Sequence, residues 1–181
     1  FTFMNAVISK KSYEKTMGYI NRAQQSSEAK IIIGGSGNSN KGYVIDPTVI
    51  LVTTPKYETM IDEIFGPVIS IYVYRESFDE ILNLADTSCS YALTGSIFAT
   101  DKDVVQKATN TLQYTAGNFY INDKPSGAVV NQQPFGGARK SGTNDKAGSL
   151  LNLLQWVSPR TIKENHAPPE NFEYPFMNRG I

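Results

Sequence analysis

One cysteine, one histidine and one tryptophan occur among 181 residues, and the scarcity narrows the chemistry. The single thiol, Cys89, allows no internal disulfide and no multi-cysteine zinc site, which suits a reducing compartment. The lone imidazole, His166, stands near the tail beside Pro168, a position that reads as a solvated loop rather than a general base, and no metal site is expected. Charge of one sign is missing too. Seventeen basic residues balance seventeen acidic ones, so neither nucleic acid nor an anionic membrane is expected as a partner, and small neutral or zwitterionic ligands stay open. Neither G-x-G-x-x-G nor the P-loop lysine pattern occurs. The opening Phe1–Ile8 is apolar but too short to span a bilayer, and it lacks the basic region and cleavage site of a signal peptide. With no initiator Met and a strand-like start, the chain reads as cut from a longer one, with any transit peptide upstream.

With 40% hydrophobic and 11% aromatic residues, a single α/β domain with a sizeable core is the natural reading. Ser9 can cap a helix running to about Ala29, with Tyr13, Met17, Tyr19 and Ile20 partly following helical spacing. Lys30–Ile33 reads as a strand, Gly34–Gly42 as a turn or surface hairpin, and Thr48–Val52 as a strand again. Val68–Tyr74 is a β-branched and aromatic run feeding a helix from Ser77 to Ala85. Leu93–Phe98 then precedes a helix from Asp101 to Leu112 and a strand at Asn118–Ile121. Repeated β-α-β order predicts an open, mostly parallel sheet with helices on both faces. Residues 122–148 are rich in Gly, Pro, Ser and Asn and predict a long functional loop.

Two constellations carry chemistry. Glu63-Ile64-Phe65-Gly66-Pro67 lies just ahead of a strand, where a carboxylate can accept two hydrogen bonds from a vicinal diol, as ribose presents, beside a phenyl ring. Taken alone, the pentapeptide slightly favours a surface glutamate beside a core phenylalanine at a tight turn. Pro134-Phe135-Gly136-Gly137, preceded by Gly117-Asn118-Phe119-Tyr120-Ile121-Asn122, would let backbone approach a ligand, with Phe135 walling an apolar pocket; it also reads as an ordinary Gly-rich turn.

Taken in order, E-I-F-G-P, Y-x-L-T-G-x-I-F at Tyr91–Phe98, G-N-x-x-I-N and P-F-G-G-x-x-x-S-G resemble the aldehyde dehydrogenase superfamily over residues 4–163. Residues 117–145 resemble the anchor loop of the branch that oxidises glutamate semialdehyde, the open form of pyrroline-5-carboxylate, to glutamate. The resemblance implies that Glu63 and Phe65 bind the nicotinamide end of NAD, Glu63 through the ribose hydroxyls. It implies that backbone amides of Gly127 and Ala128 hold the substrate carboxylate while Phe135 lies against its aliphatic part. Ala128 stands where many relatives carry Ser, and Asn131 where Gly is common. Because Glu63 would touch the nicotinamide ribose, nothing separates NAD from NADP.

The family reaction needs a thiolate nucleophile that forms a thiohemiacetal with the aldehyde. Cys89, in Asp86-Thr87-Ser88-Cys89-Ser90-Tyr91, lacks the nucleophile motif and reads as a structural, buried or semi-buried thiol. No catalytic residue is therefore expected in this chain; the nucleophile, the acid/base glutamate and the Gly-rich nucleotide-binding half are expected upstream. The resemblance divides the chain into part of a catalytic domain (1–149), an extended oligomerisation strand (150–165) that joins a neighbouring subunit in a homo-oligomer, and a tail (166–181). It places the enzyme in the mitochondrial matrix, otherwise in the cytoplasm. Rival readings are a superfamily member with another aldehyde substrate, and a noncatalytic module that keeps the fold.

Overall fold

The computed structural model of the chain describes residues 4–125, 128–129 and 131–177. Helix α1 (Lys10–Gln25) begins where the Ser9 hydroxyl accepts a hydrogen bond from the Ser12 amide at 3.1 Å. It ends four residues short of Ala29. Ser26 turns extended, and its hydroxyl accepts from the Glu28 amide at 3.1 Å, offering the backbone a local bond that competes with the helix. The buried stripe of α1 is Thr16, Ile20 and Ala23, while Tyr13 and Met17 lie over Gly37.

Strand β1 (Ala29–Ile33) leads into a small antiparallel hairpin of β2 (Gly37–Asn38) and β3 (Val44–Ile45). Strand β4 (Thr48–Val52) is central to a three-stranded sheet. It pairs antiparallel with β1 and, across the short helix α2 (Glu58–Ile61), parallel with β5 (Val68–Tyr72). The antiparallel β1–β4 pair departs from the expected mostly parallel sheet. The connection between them holds only a hairpin and no crossover helix, and parallel strands need a crossover.

One face of this sheet is sealed. Ile50 and Val52 of β4 are buried against Ala23 of α1 and Tyr57, with Ala29, Ile31, Met60, Val68 and Tyr72 packed around them. On the opposite face Ile69 and Ile71 remain 59% and 43% exposed, so in this sheet the described helices do not cover both faces.

The second half starts with α3 (Phe78–Thr87), opened by a capping box in which the Ser77 hydroxyl accepts from the Glu80 amide and the Glu80 carboxylate accepts from the Ser77 amide. The Ser77 hydroxyl, donating to the Glu80 carboxylate at 2.7 Å, and then the Ser77 amide hold that carboxyl below its ordinary pKa. After β6 (Tyr91–Ala92) come β7 (Thr94–Ile97), α4 (Lys102–Thr111) capped by Asp101, and β8 (Asn118–Ile121), which runs parallel to β7 as a β-α-β unit. Leu82 of α3 forms a core with Ala108 and Leu112, and Phe78, Ile97 and Phe119 pack against them. The parallel pair β7–β8 is separate from the three-stranded sheet. Strand β9 (Ala138–Arg139) returns antiparallel to β6.

The segment expected to be an extended strand is instead helical over its first half, with α5 (Leu150–Leu153) followed by a 3-10 turn at Leu154–Trp156. Leucine favours helix, and a segment with no strand edge beside it satisfies its backbone locally. Residues 157–163 pair with no described strand, and Leu153, Trp156, Val157 and Ile162 are all exposed. The tail holds a 3-10 turn at Pro175–Met177 rather than a fully extended arm.

Candidate functional site

Between α2 and β5 the chain makes a tight turn over residues 62–67. Glu63 is half-buried, and its carboxylate makes no hydrogen bond or ion pair among the described residues, whereas its backbone oxygen accepts from Lys15 Nζ at 2.6 Å. Phe65 sits at φ +57° and is 76% exposed, so it is no core phenylalanine. A bulky residue held in the left-handed region costs on the order of 1–3 kcal/mol and persists only where its surroundings over-determine it.

Those surroundings are identifiable. The Gly66 amide lies so close to α1 that a Cβ there would come within 2.6 Å of Thr16 Cγ2. The Pro67 carbonyl accepts from the Thr48 amide at 2.8 Å, docking the turn on β4. Tyr19 donates from its hydroxyl to Asp62 at 2.8 Å, which raises the phenol above its ordinary pKa, and Arg22 holds Glu58 through three bonds of 2.8, 2.9 and 3.2 Å, which raises the guanidinium further. A free carboxylate on a fixed turn beside an exposed ring suits a ribose diol and an adjoining flat ring, so the residues fit the nicotinamide end of NAD.

The second constellation is organised differently. Asn118, at the start of β8, donates from its side-chain amide to Pro134 O at 2.9 Å and accepts from the Gly136 amide at 3.2 Å, bracketing Phe135. Phe135 and Ala147 exchange backbone bonds of 2.9 and 2.8 Å, and the Lys146 ammonium donates to Gly117 O. A Cβ on Gly117 would lie 1.8 Å from Gly136 O, so only glycine allows these two backbones to cross. Gly136 and Gly137 abut Asn144, Ser141 and Leu93; the glycine pair makes room for the loop's own chain. Ser141 Oγ accepts from the Ala92 amide at 3.0 Å, and Arg139 pairs with Asp86. Asn122, at φ +54°, exchanges two 2.9 Å bonds with the backbone of Ala99.

Ala128, Asn131, Gln133, Phe135, Ala147 and Gly148 line a cavity of about 220 Å³. Two of the expected substrate residues, Ala128 and Phe135, therefore share one pocket; Gly127 lies outside the described residues. Asn131 takes φ +68°, a left-handed conformation that Gly and Asn tolerate best, so Asn suits this position. No described hydrogen bond or cavity joins Glu63 or Phe65 to this pocket. Lys15, Thr16 and Asn118 carry much of the geometry, and none of them stood out as a site residue in the sequence.

Cys89 is half-buried; its thiol donates to Ile61 O at 3.2 Å and accepts from the Tyr91 amide at 3.4 Å, a structural tie between the two halves. His166 is exposed in a loop. Among the described residues there is no cluster of His, Cys, Asp or Glu able to hold a metal, and no helix is long and apolar enough to cross a membrane.

The aldehyde dehydrogenase family model matches residues 1–162. A mitochondrial delta-1-pyrroline-5-carboxylate dehydrogenase of Dictyostelium discoideum is 54% identical over 177 residues, 97% of this chain and 32% of the relative. The Delta-pyrroline-5-carboxylate dehydrogenase of Mycobacterium tuberculosis superposes with a TM-score of 0.79 at 46% identity, over 95% of this chain and 32% of that one. The same enzyme bound with NAD gives a TM-score of 0.77 at 45% identity, over 95% and 31%. The chain thus spans about a third of the length of the relatives it matches. With the family model covering 162 of 181 residues, and with Glu63-Ile64-Phe65-Gly66-Pro67 and the Phe135 loop standing on turns held from within the fold, the chain belongs to the aldehyde dehydrogenase family.

Proposed function

We propose that the protein to which this chain belongs oxidises glutamate semialdehyde, in equilibrium with pyrroline-5-carboxylate, to glutamate in proline catabolism, with NAD as the hydride acceptor. The observation that carries the reading is the pocket of about 220 Å³ shared by Ala128 and Phe135. It is smaller than the roughly 300–1,000 Å³ of sites for drug-sized ligands, which suits a short metabolite. The names of the relatives support the substrate class, and the NAD-bound relative supports the cofactor.

In this reading Glu63 accepts hydrogen bonds from the nicotinamide ribose hydroxyls, and Phe65 packs beside the nicotinamide. The Gly127 and Ala128 amides receive the substrate carboxylate, and Phe135 packs on its methylenes. NAD, when bound, supplies the hydride acceptor. The residues named here bind and orient, while the nucleophile and the acid/base group belong to the remainder of the protein. Relatives named as mitochondrial support a place in the mitochondrial matrix.

A branched side chain on the anchor should obstruct only substrates that bring a carboxylate to it. In the full-length enzyme, Gly127→Val is expected to raise KM for glutamate semialdehyde about 10- to 100-fold, the range set by losing hydrogen bonds to a charged group, with little change for a short aliphatic aldehyde. Equal losses for both substrates in steady-state assays would refute the anchor.

The same reading makes residues 157–163 a strand that pairs with a neighbouring subunit, supported by Val157 at 57% and Ile162 at 76% exposure in a segment without an intrachain partner among the described residues. Removing residues 157–181 from the full-length protein should yield monomer or aggregate by light scattering; an unchanged oligomer would move the interface elsewhere.

A further inference from the structure

Lys15, Thr16, Tyr19 and Arg22 fall on one face of α1, at the spacings that bring helical side chains into a row. Every one of them meets the segment that ends in the cofactor turn. Lys15 Nζ donates to Glu63 O at 2.6 Å, the Thr16 side chain lies directly beneath Gly66, Tyr19 donates to Asp62 at 2.8 Å, and Arg22 grips Glu58. The partners lie 36 to 50 residues away in the chain, so no local preference of the turn produces this register.

The distribution of the contacts is selective. Lys15 takes the backbone oxygen of Glu63 and Tyr19 takes the neighbouring carboxylate of Asp62, which leaves the Glu63 carboxylate itself without a partner among the described residues. Among the described residues the bond of the Lys15 ammonium goes to main chain and none goes to a carboxylate.

Two further signs mark the turn as held under constraint. Phe65 is kept left-handed although it is bulky, and the Thr16 hydroxyl is fully buried without a hydrogen-bond partner. A surface lysine on a carbonyl adds little to global stability, because water competes for both groups. Its consequence is geometric: it fixes the peptide plane that aims the Glu63 side chain, and ligand groups must be held within a fraction of an ångström to act.

We infer that the α1 face of Lys15, Thr16 and Tyr19 is a positioning clamp for the cofactor turn, with Lys15 orienting Glu63 toward the nicotinamide ribose without itself touching the cofactor. The inference rests on the reading of Glu63 as the ribose ligand, and its test separates the two.

In the full-length enzyme, Lys15→Met keeps the apolar stem and removes the donor. It should weaken NAD affinity about fivefold, leave KM for glutamate semialdehyde within twofold, and leave the melting temperature unchanged. Lys15→Arg, which retains a cationic donor, should restore NAD affinity to within twofold. In a Glu63→Gln background the Lys15→Met effect should shrink below twofold, because a weakened ligand gains little from being aimed. NAD affinity insensitive to Lys15→Met, or the same fivefold loss in both backgrounds, would overturn the clamp while leaving the ribose reading intact. If Glu63→Gln by itself left NAD affinity unchanged, the ribose reading would fail and the clamp with it.

Discussion

The two turns of the candidate site are held in opposite ways. Residues 62–67 are fixed by side chains reaching from a helix 43 to 50 residues earlier, through an ammonium, a phenol and a threonine methyl. The described part of residues 117–148 is fixed mainly by contacts to main chain: Gly117 under Gly136, Phe135 bridged to Ala147, and side-chain amides of Asn118 and Asn122 bonded to backbone of residues 134, 136 and 99. A side-chain contact can be retuned by changing its partner. A crossing of two backbones cannot, because every residue carries the same carbonyl.

The comparison breaks most visibly at Gly117. Alanine there would place a Cβ 1.8 Å from Gly136 O, and no side-chain substitution nearby can relieve a clash with main chain. Gly117→Ala is expected to destabilise by about 3 kcal/mol, at the upper end of overpacking costs, and to abolish turnover of glutamate semialdehyde while NAD binding falls much less. Denaturant unfolding together with an NAD titration reads both parts. Full turnover in Gly117→Ala would mean that the loop geometry is wrong.

Gly66 makes the smaller and more informative test. A Cβ at Gly66 would come within 2.6 Å of Thr16 Cγ2 and 2.7 Å of Thr16 Oγ1, both of them side-chain atoms. Gly66→Ala alone should destabilise by about 1–2 kcal/mol and weaken NAD binding. Combining it with Thr16→Ala opens the space and removes a buried hydroxyl that has no partner, so the double variant should recover most of both losses. Strict additivity of the two substitutions would show that the turn is not held through this contact, and would erase the distinction between the two regions.

Much of this architecture was legible. Ser9, Ser77 and Asp101 mark helix starts because each accepts a bond from an amide two or three residues on, and β4 and β8 fall at the bounds read from their apolar runs. The pairing of β1 was not legible, since alternation along a strand says nothing of its neighbour's direction. The candidate residues Glu63, Phe65, Ala128 and Phe135 stood out through the family motifs, but the reason for the motif glycines did not. Gly136 and Gly137 suggested room for a ligand, whereas they accommodate Ser141 and Asn144. The extended reading of 150–156 failed because that segment pairs with no described strand, and leucine-rich sequence without a partner strand curls into helical turns.

The amino-acid order alone determined where elements begin, which residue types flank the turns, and the family, because caps, periodicity and motifs act over a few neighbouring residues. Tertiary structure decided that Lys15 takes the carbonyl of Glu63 rather than its carboxylate, that Asn118 braces Phe135, and that one face of the three-stranded sheet is sealed while the other stays open. Those outcomes depend on close approaches between segments tens of residues apart, and only the folded chain sets such distances.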